Sequence, residues 1–512
     1  MHSHLHHLAW HLTREQRLLG LATLSCLPLF SAPHLMRLSG TSSMFRKLLR
    51  SKRGPGMLIA GLWISDQARL RHTQVVGATG TGKTVLFNSL LFGDLKRGYG
   101  AIVIDPKGER SLYDEVRAYC KSIGREEDLF LLSASYPEES SIWNPCALGS
   151  PSELQTKLFN SAVYNEPHYA KACEYGLIQA FRRLCTGMGR EFTIRDLIRE
   201  LEKISEDEKD DTLKGLFFDL NNLVLGEWEP ILACASHPKQ TSKRPISILD
   251  IVKNNKILFV DLPTEGKKVQ SSRVGRLLTQ EIILISGLRK RNSSLKGDRP
   301  FSVYVDEFDA FATESFATFL NKGRSSEFMI HLAHQTLSDL NCISPEFAGQ
   351  ILGNCNVRFI FRQDDPDDAE RWSRFFGTKR VVKQTYRSKD GSRTGESSNR
   401  ESQEFTVPPD TIKSLKIGRC IFSVKTEGET RVIQIPFDPM RIEPKVEDPP
   451  VSPDGPLPPP GGVPPTLPIA QEPIEKWDSL NPVLNRSENE IPEFNHPLDN
   501  VVELRFPPKP PG

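Results

Sequence analysis

The residues best suited to do chemistry form a short glycine-rich loop. In order they are Gly77, Ala78, Thr79, Gly80, Thr81, Gly82, Lys83 and Thr84. Their spacing fits the phosphate-binding pattern G-x-x-x-x-G-K-[ST], in which small residues let backbone N–H groups surround a triphosphate. In such a loop the Lys83 ammonium contacts the β- and γ-phosphates, and the Thr84 hydroxyl contacts Mg²⁺. The loop therefore predicts a site for ATP and Mg²⁺.

Two adjacent acids, Asp306 and Glu307, follow an apolar segment about 220 residues further along the chain. In P-loop ATPases the first carboxylate orients the shell of Mg²⁺ and the second polarises the attacking water. The pair also fits an ordinary strand end with solvated acids. Because a phosphate loop precedes it in the same chain, we favour the catalytic interpretation. It makes Asp306 a metal ligand and Glu307 the general base.

Two further polar residues extend this predicted site. Gln335 ends another apolar segment, where its amide is expected to contact the γ-phosphate and the attacking water. His334 beside it is interpreted as structural. Arg324 lies between the acids and Gln335 in the sequence. It is a candidate arginine finger, which would neutralise transition-state charge on the nucleotide of a neighbouring subunit.

These residues need a scaffold that brings them together. Short apolar segments bounded by turn signals recur along the chain, and helical patterns lie between most of them. The segments are residues 72–76, 101–105, 129–133, 256–262, 301–306, 329–333 and 357–361. Strands that alternate with helices and are apolar throughout predict an α/β fold with a mostly parallel sheet covered on both faces. The segment after the phosphate loop, residues 85–91, reads as a helix whose N-terminus faces the phosphates.

The alternation breaks in residues 151–240, where helical patterns replace strands. We interpret this stretch as an inserted all-α domain between two parts of one nucleotide-binding domain, residues 55–150 and 241–440. Residues 380–400 are polar and rich in Ser, Arg and Gly, which predicts a mobile loop or a projecting hairpin.

Composition fits a soluble chain with a substantial core, since 38% of the 512 residues are hydrophobic and 25% are charged. Nine cysteines without a C-x-x-C pair argue against a structural zinc site and favour a reducing cytoplasm. Residues 441–512 form an acidic tail, and ten of the twenty residues from 449 to 468 are proline. This tail is predicted to be extended and disordered. The rest of the chain is net positive, a modest bias toward anionic partners.

The N-terminal segment, residues 1–54, allows more than one interpretation. Residues 18–36 contain no Asp, Glu, Lys or Arg over 19 positions, and a basic cluster follows. That arrangement suits a membrane helix whose C-terminal side faces the cytoplasm. Pro28, Pro33 and His34 dilute the apolar run, so a poorly ordered leader, or a basic segment that touches anionic lipid, stays open.

The motifs together resemble those of the conjugative coupling proteins of type IV secretion systems, the TraD/TraG-type DNA-transfer ATPases. The most diagnostic after the phosphate loop is Asp105-Pro106-Lys107-Gly108-Glu109, which generic ATPases lack. The other matching segments are Arg71-His72, Trp143-Asn144-Pro145, Val305-Asp306-Glu307-Phe308, Lys322-Gly323-Arg324, His334-Gln335, Asp365-Pro366 and Val407-Pro408-Pro409-Asp410. The likeness runs in order from about Pro55 to Pro436.

This resemblance implies a RecA-like motor that forms a homo-hexameric ring at the cytoplasmic face of the bacterial inner membrane. Such proteins bring a relaxase–DNA complex to the secretion channel, and ATP hydrolysis drives the DNA through. It also implies that Gln335 senses the γ-phosphate and that Arg324 acts in trans; it gives Asp105 and Lys107 no firm role. DNA contacts, to single or double strands, would be to phosphates without sequence readout. Family members have two membrane helices, so peripheral docking on a membrane component is an alternative for this chain.

Two other functions fit the same residues less well. One is a chromosome-partition-type DNA translocase, which the Asp-Pro-Lys-Gly-Glu motif and the helical insertion disfavour. The other is a nucleotide-gated adaptor that recruits cargo to the channel with little motor activity. The intact Asp306 and Glu307 pair favours real turnover over this second alternative.

Overall fold

The computed structural model describes residues 55–164, 166–188, 192–208, 211–232, 244–389 and 392–435. The strands are β1 Gly56–Ile59, β2 Leu62–Ser65, β3 Thr73–Val76, β4 Ala101–Asp105, β5 Leu129–Ser133, β6 Ile142–Trp143, β7 Pro245–Ile246, β8 Ile257–Asp261, β9 Phe301–Val305, β10 Phe328–His334, β11 Val357–Ile360, β12 Thr378–Lys389, β13 Ser392–Phe405, β14 Arg419–Val424 and β15 Glu429–Gln434. The helices are α1 Asp66–Arg69, α2 Lys83–Lys96, α3 Arg110–Ser122, α4 Pro151–Ser161, α5 Pro167–Gly187, α6 Ile194–Glu208, α7 Lys214–Val224, α8 Ile248–Lys253, α9 Lys268–Arg291, α10 Glu314–Gly323, α11 Leu337–Asn341, α12 Pro345–Asn354, α13 Pro366–Phe376 and α14 Pro409–Lys413.

One large sheet organises the described part of the chain. Its strand order is β15–β14–β11–β3–β10–β9–β4–β8–β5. Every neighbouring pair from β11 to β5 is parallel, whereas β14 and β15 are antiparallel additions at one edge. Parallel strands end at the same edge of a sheet, so the segments that follow β3, β4, β8, β9 and β10 emerge side by side. The predicted mostly parallel α/β fold is confirmed.

The central strands are buried on both faces, which explains why they are apolar throughout. In β4, Ile102 and Ile104 belong to one hydrophobic cluster, and Ala101 and Val103 to the other. Helices α2 and α3 contribute Leu90 and Val116 to the second cluster. Alternation along each strand thus joins the sheet to two separate helical layers.

The described residues from 151 to 232 form helices α4 to α7 with connecting turns and no β-strand. Helix α4 begins with a capping box in which Ser150 and Glu153 exchange side-chain and backbone hydrogen bonds. Its Lys157 donates to Glu281 of the long helix α9, and both side chains are buried. The helical stretch therefore packs on α9, and its buried side chains belong to the same hydrophobic cluster as one face of the sheet.

The predicted strands occur within one or two residues of their expected bounds. The described residues between 380 and 400 belong to the antiparallel pair β12–β13, in agreement with the predicted projecting hairpin. Sequence reasoning missed the β1–β2 hairpin and the antiparallel strands β14 and β15.

Among the described helices, none is both long enough and apolar enough to cross a membrane. The possible membrane segment at residues 18–36 and the proline-rich tail lie outside the described residues.

Candidate active site

The glycine-rich loop connects β3 to the N-terminus of α2, as the phosphate-binding pattern requires. Gly80 and Gly82 take left-handed backbone angles, with φ of 74° and 110°. A Cβ at Gly77 would lie 2.5 Å from the Cβ of Phe361, so only glycine fits there. A Cβ at Gly80 would meet nothing within 4 Å, so the loop is open on that side. This open cradle at a helix N-terminus fits an anionic phosphate group.

The loop is held by segments that sequence reasoning did not connect with it. The backbone N–H of Ala78 donates to the carbonyl of Arg362, just after β11. The N–H of Gly418, just before β14, donates to the carbonyl of Thr81 at 2.9 Å. The antiparallel edge of the sheet therefore supports the loop from its far side. No local pattern in residues 357–434 signals this contact, because it depends on strand order.

Lys83 begins helix α2 and is largely buried. Its ammonium donates to the carbonyl oxygens of Gly77 and Ala78, within its own loop. Burial lowers the pKa of Lys83, and the nearby Lys107 charge adds to that effect while Asp306 opposes it. The Lys83 ammonium therefore lies beside the phosphate-binding loop, where an anionic ligand would stabilise its charge.

The two predicted catalytic acids lie directly after β9. Val305 is in register with Ile104 of β4 and Leu332 of β10, so Asp306 lies at the edge where those strands end. Glu307 takes a left-handed backbone conformation with φ of 38°, uncommon for a side chain with a Cβ. Its N–H donates to Asp306 Oδ1 at 3.0 Å. Burial raises the pKa of Glu307, as do the charges of Asp306 and Asp309, against the opposing charges of Lys107 and Lys83.

Gln335 reaches the phosphate loop. His334 is in register with Val76, so the residues that follow β10 and β3 are neighbours. The hydroxyl of Thr79 donates to the Gln335 side-chain oxygen at 3.2 Å. His334 is fully buried, with its ring nitrogens 2.9 Å from Gln74 Nε2 and 2.8 Å from the Thr336 carbonyl. Burial lowers the pKa of His334 to about 4, so the ring is neutral, in line with a structural role.

Lys107 is the site residue whose role sequence reasoning left unassigned. Its ammonium donates to Asp306 Oδ2 at 2.9 Å and lies 3.5 Å from the Thr84 hydroxyl. Asp105 accepts the backbone N–H of Lys107 at 3.1 Å and thereby shapes the turn after β4. Gly108 completes this turn with φ of 71°. The neighbouring positions of β4 and β9 place Lys107 beside Asp306, and that adjacency is not readable from one sequence.

Arg324 is not brought together with these residues. It is exposed and directly follows α10, in the short 3-10 helix Arg324–Ser326 that precedes β10. The phosphate loop and Gln335 lie at the other end of that strand. Seven residues of β10 span about 20 Å at roughly 3.3 Å per residue, too far for contact within one chain.

The donor set fits a hard divalent cation. Thr84 offers a hydroxyl and Asp306 a carboxylate, and Mg²⁺ is usually bound by one or two carboxylates together with phosphate oxygens. The Lys107 ammonium contacts both of these side chains, so a positive charge already lies at that position. No group of three or more His, Cys, Asp or Glu side chains suited to a metal ion occurs within the described ranges.

The nine-stranded order, the phosphate loop after a central strand and the acids two strands away define a RecA-like P-loop nucleotide-binding fold. Two family models match the chain. One, described as the type IV secretion-system coupling protein DNA-binding domain, covers residues 56–217. The other, described as the TraM recognition site of TraD and TraG, covers residues 300–416. Together with the relatives below, these two matches support a type IV secretion-system coupling protein.

Individual relatives agree with this assignment. The type 4 coupling protein DotL of Legionella pneumophila is 25% identical over 450 residues, which include 72% of this chain. The match spans only 57% of the length of DotL. The unbound bacterial conjugative coupling protein TrwBdeltaN70 has a TM-score of 0.59 and 19% identity, covering 77% of this chain and 91% of its own. TrwB in complex with ADP and Mg²⁺ has a TM-score of 0.57 and 19% identity, covering 77% and 92%. At these identities the solved structures show the shared fold alone.

Proposed function

We propose that this protein is an ATP-hydrolysing coupling protein that brings relaxase-bound DNA to a type IV secretion channel and drives DNA transfer. The observation that carries the proposal is the convergence of Lys83, Asp306, Glu307 and Gln335 at one edge of the sheet. The TrwB structures with ADP and Mg²⁺ and with a non-hydrolysable ATP analogue give it further support.

Each residue has a distinct part in the proposed chemistry. Lys83 and the backbone N–H groups of residues 77–84 bind the phosphates, and Thr84 and Asp306 hold Mg²⁺. When bound, Mg²⁺ neutralises charge on the phosphate oxygens. Glu307 accepts the proton of the attacking water, and a raised pKa makes its carboxylate a stronger base. Gln335 orients that water with its amide and senses the γ-phosphate.

Arg324 is proposed to act on the nucleotide of a neighbouring subunit. Its position beyond the far end of β10 leaves no route to the nucleotide site of its own chain. A homo-hexameric ring, in which each subunit supplies one arginine to the next, would use the exposed side chain. An arginine finger of this kind contributes about 10³ to 10⁵ in turnover.

The proposed partners are DNA, relaxosome proteins and channel components. The family-model descriptions, DNA-binding domain and TraM recognition site, point to the first two. Residues 1–441 are net positive, which suits non-specific contact with DNA phosphates. The proposed location is the cytoplasmic face of the inner membrane, reached by a membrane segment or by docking on another component.

Hydrolysis measured with and without DNA tests this function. The purified full chain should hydrolyse ATP, and single-stranded or duplex DNA should stimulate it. Glu307→Gln should lower turnover by about 10² to 10⁴ while a fluorescent ATP analogue still binds. The exposed Glu138→Gln makes the same chemical change elsewhere and should leave both unchanged. A near-zero rate that DNA does not alter would instead support the nucleotide-gated adaptor.

Subunit mixing tests the position of Arg324. Arg324→Ala should abolish hydrolysis and leave nucleotide binding intact. Lys83→Ala should weaken nucleotide binding by about a hundredfold, so its own sites stay largely empty at low nucleotide concentration. Mixed rings of the two variants should recover part of the activity, because some interfaces then pair an intact nucleotide site with an intact Arg324. If mixing restores nothing, Arg324 does not act across the interface.

A further inference from the structure

The Lys107 ammonium lies between Asp306 and Thr84, the two side chains that hold Mg²⁺ in the proposed function. It donates to Asp306 Oδ2 at 2.9 Å and lies 3.5 Å from Thr84 Oγ1. The Lys107 ammonium and the Asp306 carboxylate form an ion pair in which the carboxylate side chain is 8% exposed and the lysine side chain 29% exposed. A protonated lysine therefore neutralises Asp306 at this edge of the sheet.

The lysine contacts oxygen atoms of the two side chains that would hold a divalent cation. A carboxylate oxygen that accepts a charge-assisted hydrogen bond has less electron density to offer a metal ion, and two cations on one carboxylate repel. Binding of Mg²⁺ to Asp306 and Thr84 therefore requires the Lys107 ammonium to withdraw.

The surroundings of Lys107 allow this movement. Its backbone is fixed by the Asp105 carboxylate and by the turn at Gly108, but its side chain is 29% exposed. Lys157 provides a contrast, since its side chain is 1% exposed and its ammonium donates to both Glu281 and the Leu148 carbonyl. A partly exposed ammonium can exchange Asp306 for water, whereas the buried one cannot.

We propose that Lys107 is a built-in counter-ion that competes with Mg²⁺ for Asp306 and Thr84 and so sets the Mg²⁺ concentration at which nucleotide loads. The proposal rests on the proposed function, because it assigns a regulator to the same site. In a cell it would keep Asp306 neutralised until metal and nucleotide arrive together.

A binding titration tests this without measuring turnover. A fluorescent ADP analogue is added to the full chain, and MgCl₂ is raised from zero in the presence of a chelator. Lys107→Met should lower the Mg²⁺ concentration for half-maximal binding by about tenfold, since one charge-assisted contact no longer has to be broken. Lys121→Met removes the same charge from an exposed site on α3 and should leave the midpoint unchanged.

The outcomes separate the two proposals. If the unsubstituted protein binds no nucleotide at any Mg²⁺ concentration, the proposed function fails. If it binds nucleotide and Lys107→Met has the same or a higher Mg²⁺ midpoint, the competition is refuted and the function stands. Circular dichroism checks the fold of each variant. Should Lys107→Met not fold, Lys107→Gln keeps a hydrogen-bond donor without the charge and must lower the midpoint as well.

Discussion

Two ion pairs beside the large sheet, Arg69–Asp94 and Lys107–Asp306, differ in burial and in the number of their hydrogen bonds. Asp94 in α2 accepts two hydrogen bonds from Arg69, at 2.8 and 2.5 Å, and both side chains are fully buried. It also accepts the hydroxyls of Ser302 and Tyr304 at 2.7 Å. Asp306 accepts one bond from Lys107, and that lysine is 29% exposed.

The difference shows how one kind of ion pair serves two purposes. Burial opposes the charge of Asp94, yet Arg69 and the hydroxyl donors outweigh it and lower the pKa of Asp94. A fully buried pair with several hydrogen bonds cannot open without a large cost in free energy. A pair with a single contact beside solvent can exchange its cation. The first pair fixes α2 against the sheet. The second lies at the proposed nucleotide site, where another cation can replace Lys107.

Breaking the buried pair should have the largest effect on stability. Asp94→Asn keeps the shape of the side chain but leaves the Arg69 guanidinium buried without its main counter-charge. We expect a loss of about 3 to 5 kcal/mol in the free energy of unfolding. Urea unfolding followed by circular dichroism measures it. Asp114→Asn is the matched control, since the exposed Arg110–Asp114 pair should contribute less than about 1 kcal/mol. Equal shifts for the two variants would refute the distinction.

Replacing Lys83 should weaken ligand binding and change the free energy of unfolding little. Its ammonium contacts only carbonyl groups of its own loop among the described hydrogen bonds. Lys83→Ala should weaken Mg·ATP binding by about a hundredfold, near 3 kcal/mol, while the urea midpoint changes little. Calorimetry measures the affinity. Tight binding retained in this variant would remove Lys83 from the proposed site.

Asp105 should make stability depend on pH. Burial raises its pKa from 3.8 to about 7; the Lys107 N–H opposes the shift, and the charges of Asp306 and Asp261 add to it. Between these values the folded protein holds a proton that the unfolded chain has released, so stability falls as pH rises. From pH 5 to pH 6 this group should cost about 1.4 kcal/mol. Urea midpoints at both pH values should differ less in Asp105→Asn; an identical slope would contradict the assignment.

Breaking the Lys107–Asp306 pair should have the smallest effect on the free energy of unfolding. Lys107→Met removes one contact to Asp306 at a position that water can reach, so we expect a loss of about 1 kcal/mol. The same urea measurement applies. A loss as large as that of Asp94→Asn would make Lys107 a structural residue and would argue against its movement.

The local elements were predictable because their signals are local. The phosphate loop is a contiguous pattern, and strands buried on both faces must be apolar at every position, as β4 and β8 are. The acids after β9 were recognisable from their place at the end of such a strand. The identity of His334 as a buried structural residue followed from the same reasoning.

Strand order was not predictable. β10, which comes after β9 in the sequence, lies between β9 and β3, and β4 lies on the other side of β9. Any apolar strand satisfies the hydrogen bonds of any other, so a sequence does not state which will be neighbours. For the same reason the contact of Gly418 with Thr81 was not foreseen.

The sequence by itself determined which side chains can bind phosphate, hold a metal ion or accept a proton, because these properties belong to residue types and short spacings. Only the tertiary structure decided which of them meet. The parallel register brings Lys107 into contact with Asp306 and Gln335 into contact with Thr79. Arg324 lies at the opposite end of β10. Contacts between residues far apart in the chain depend on the order in which whole strands pack, and that order is fixed by the complete core.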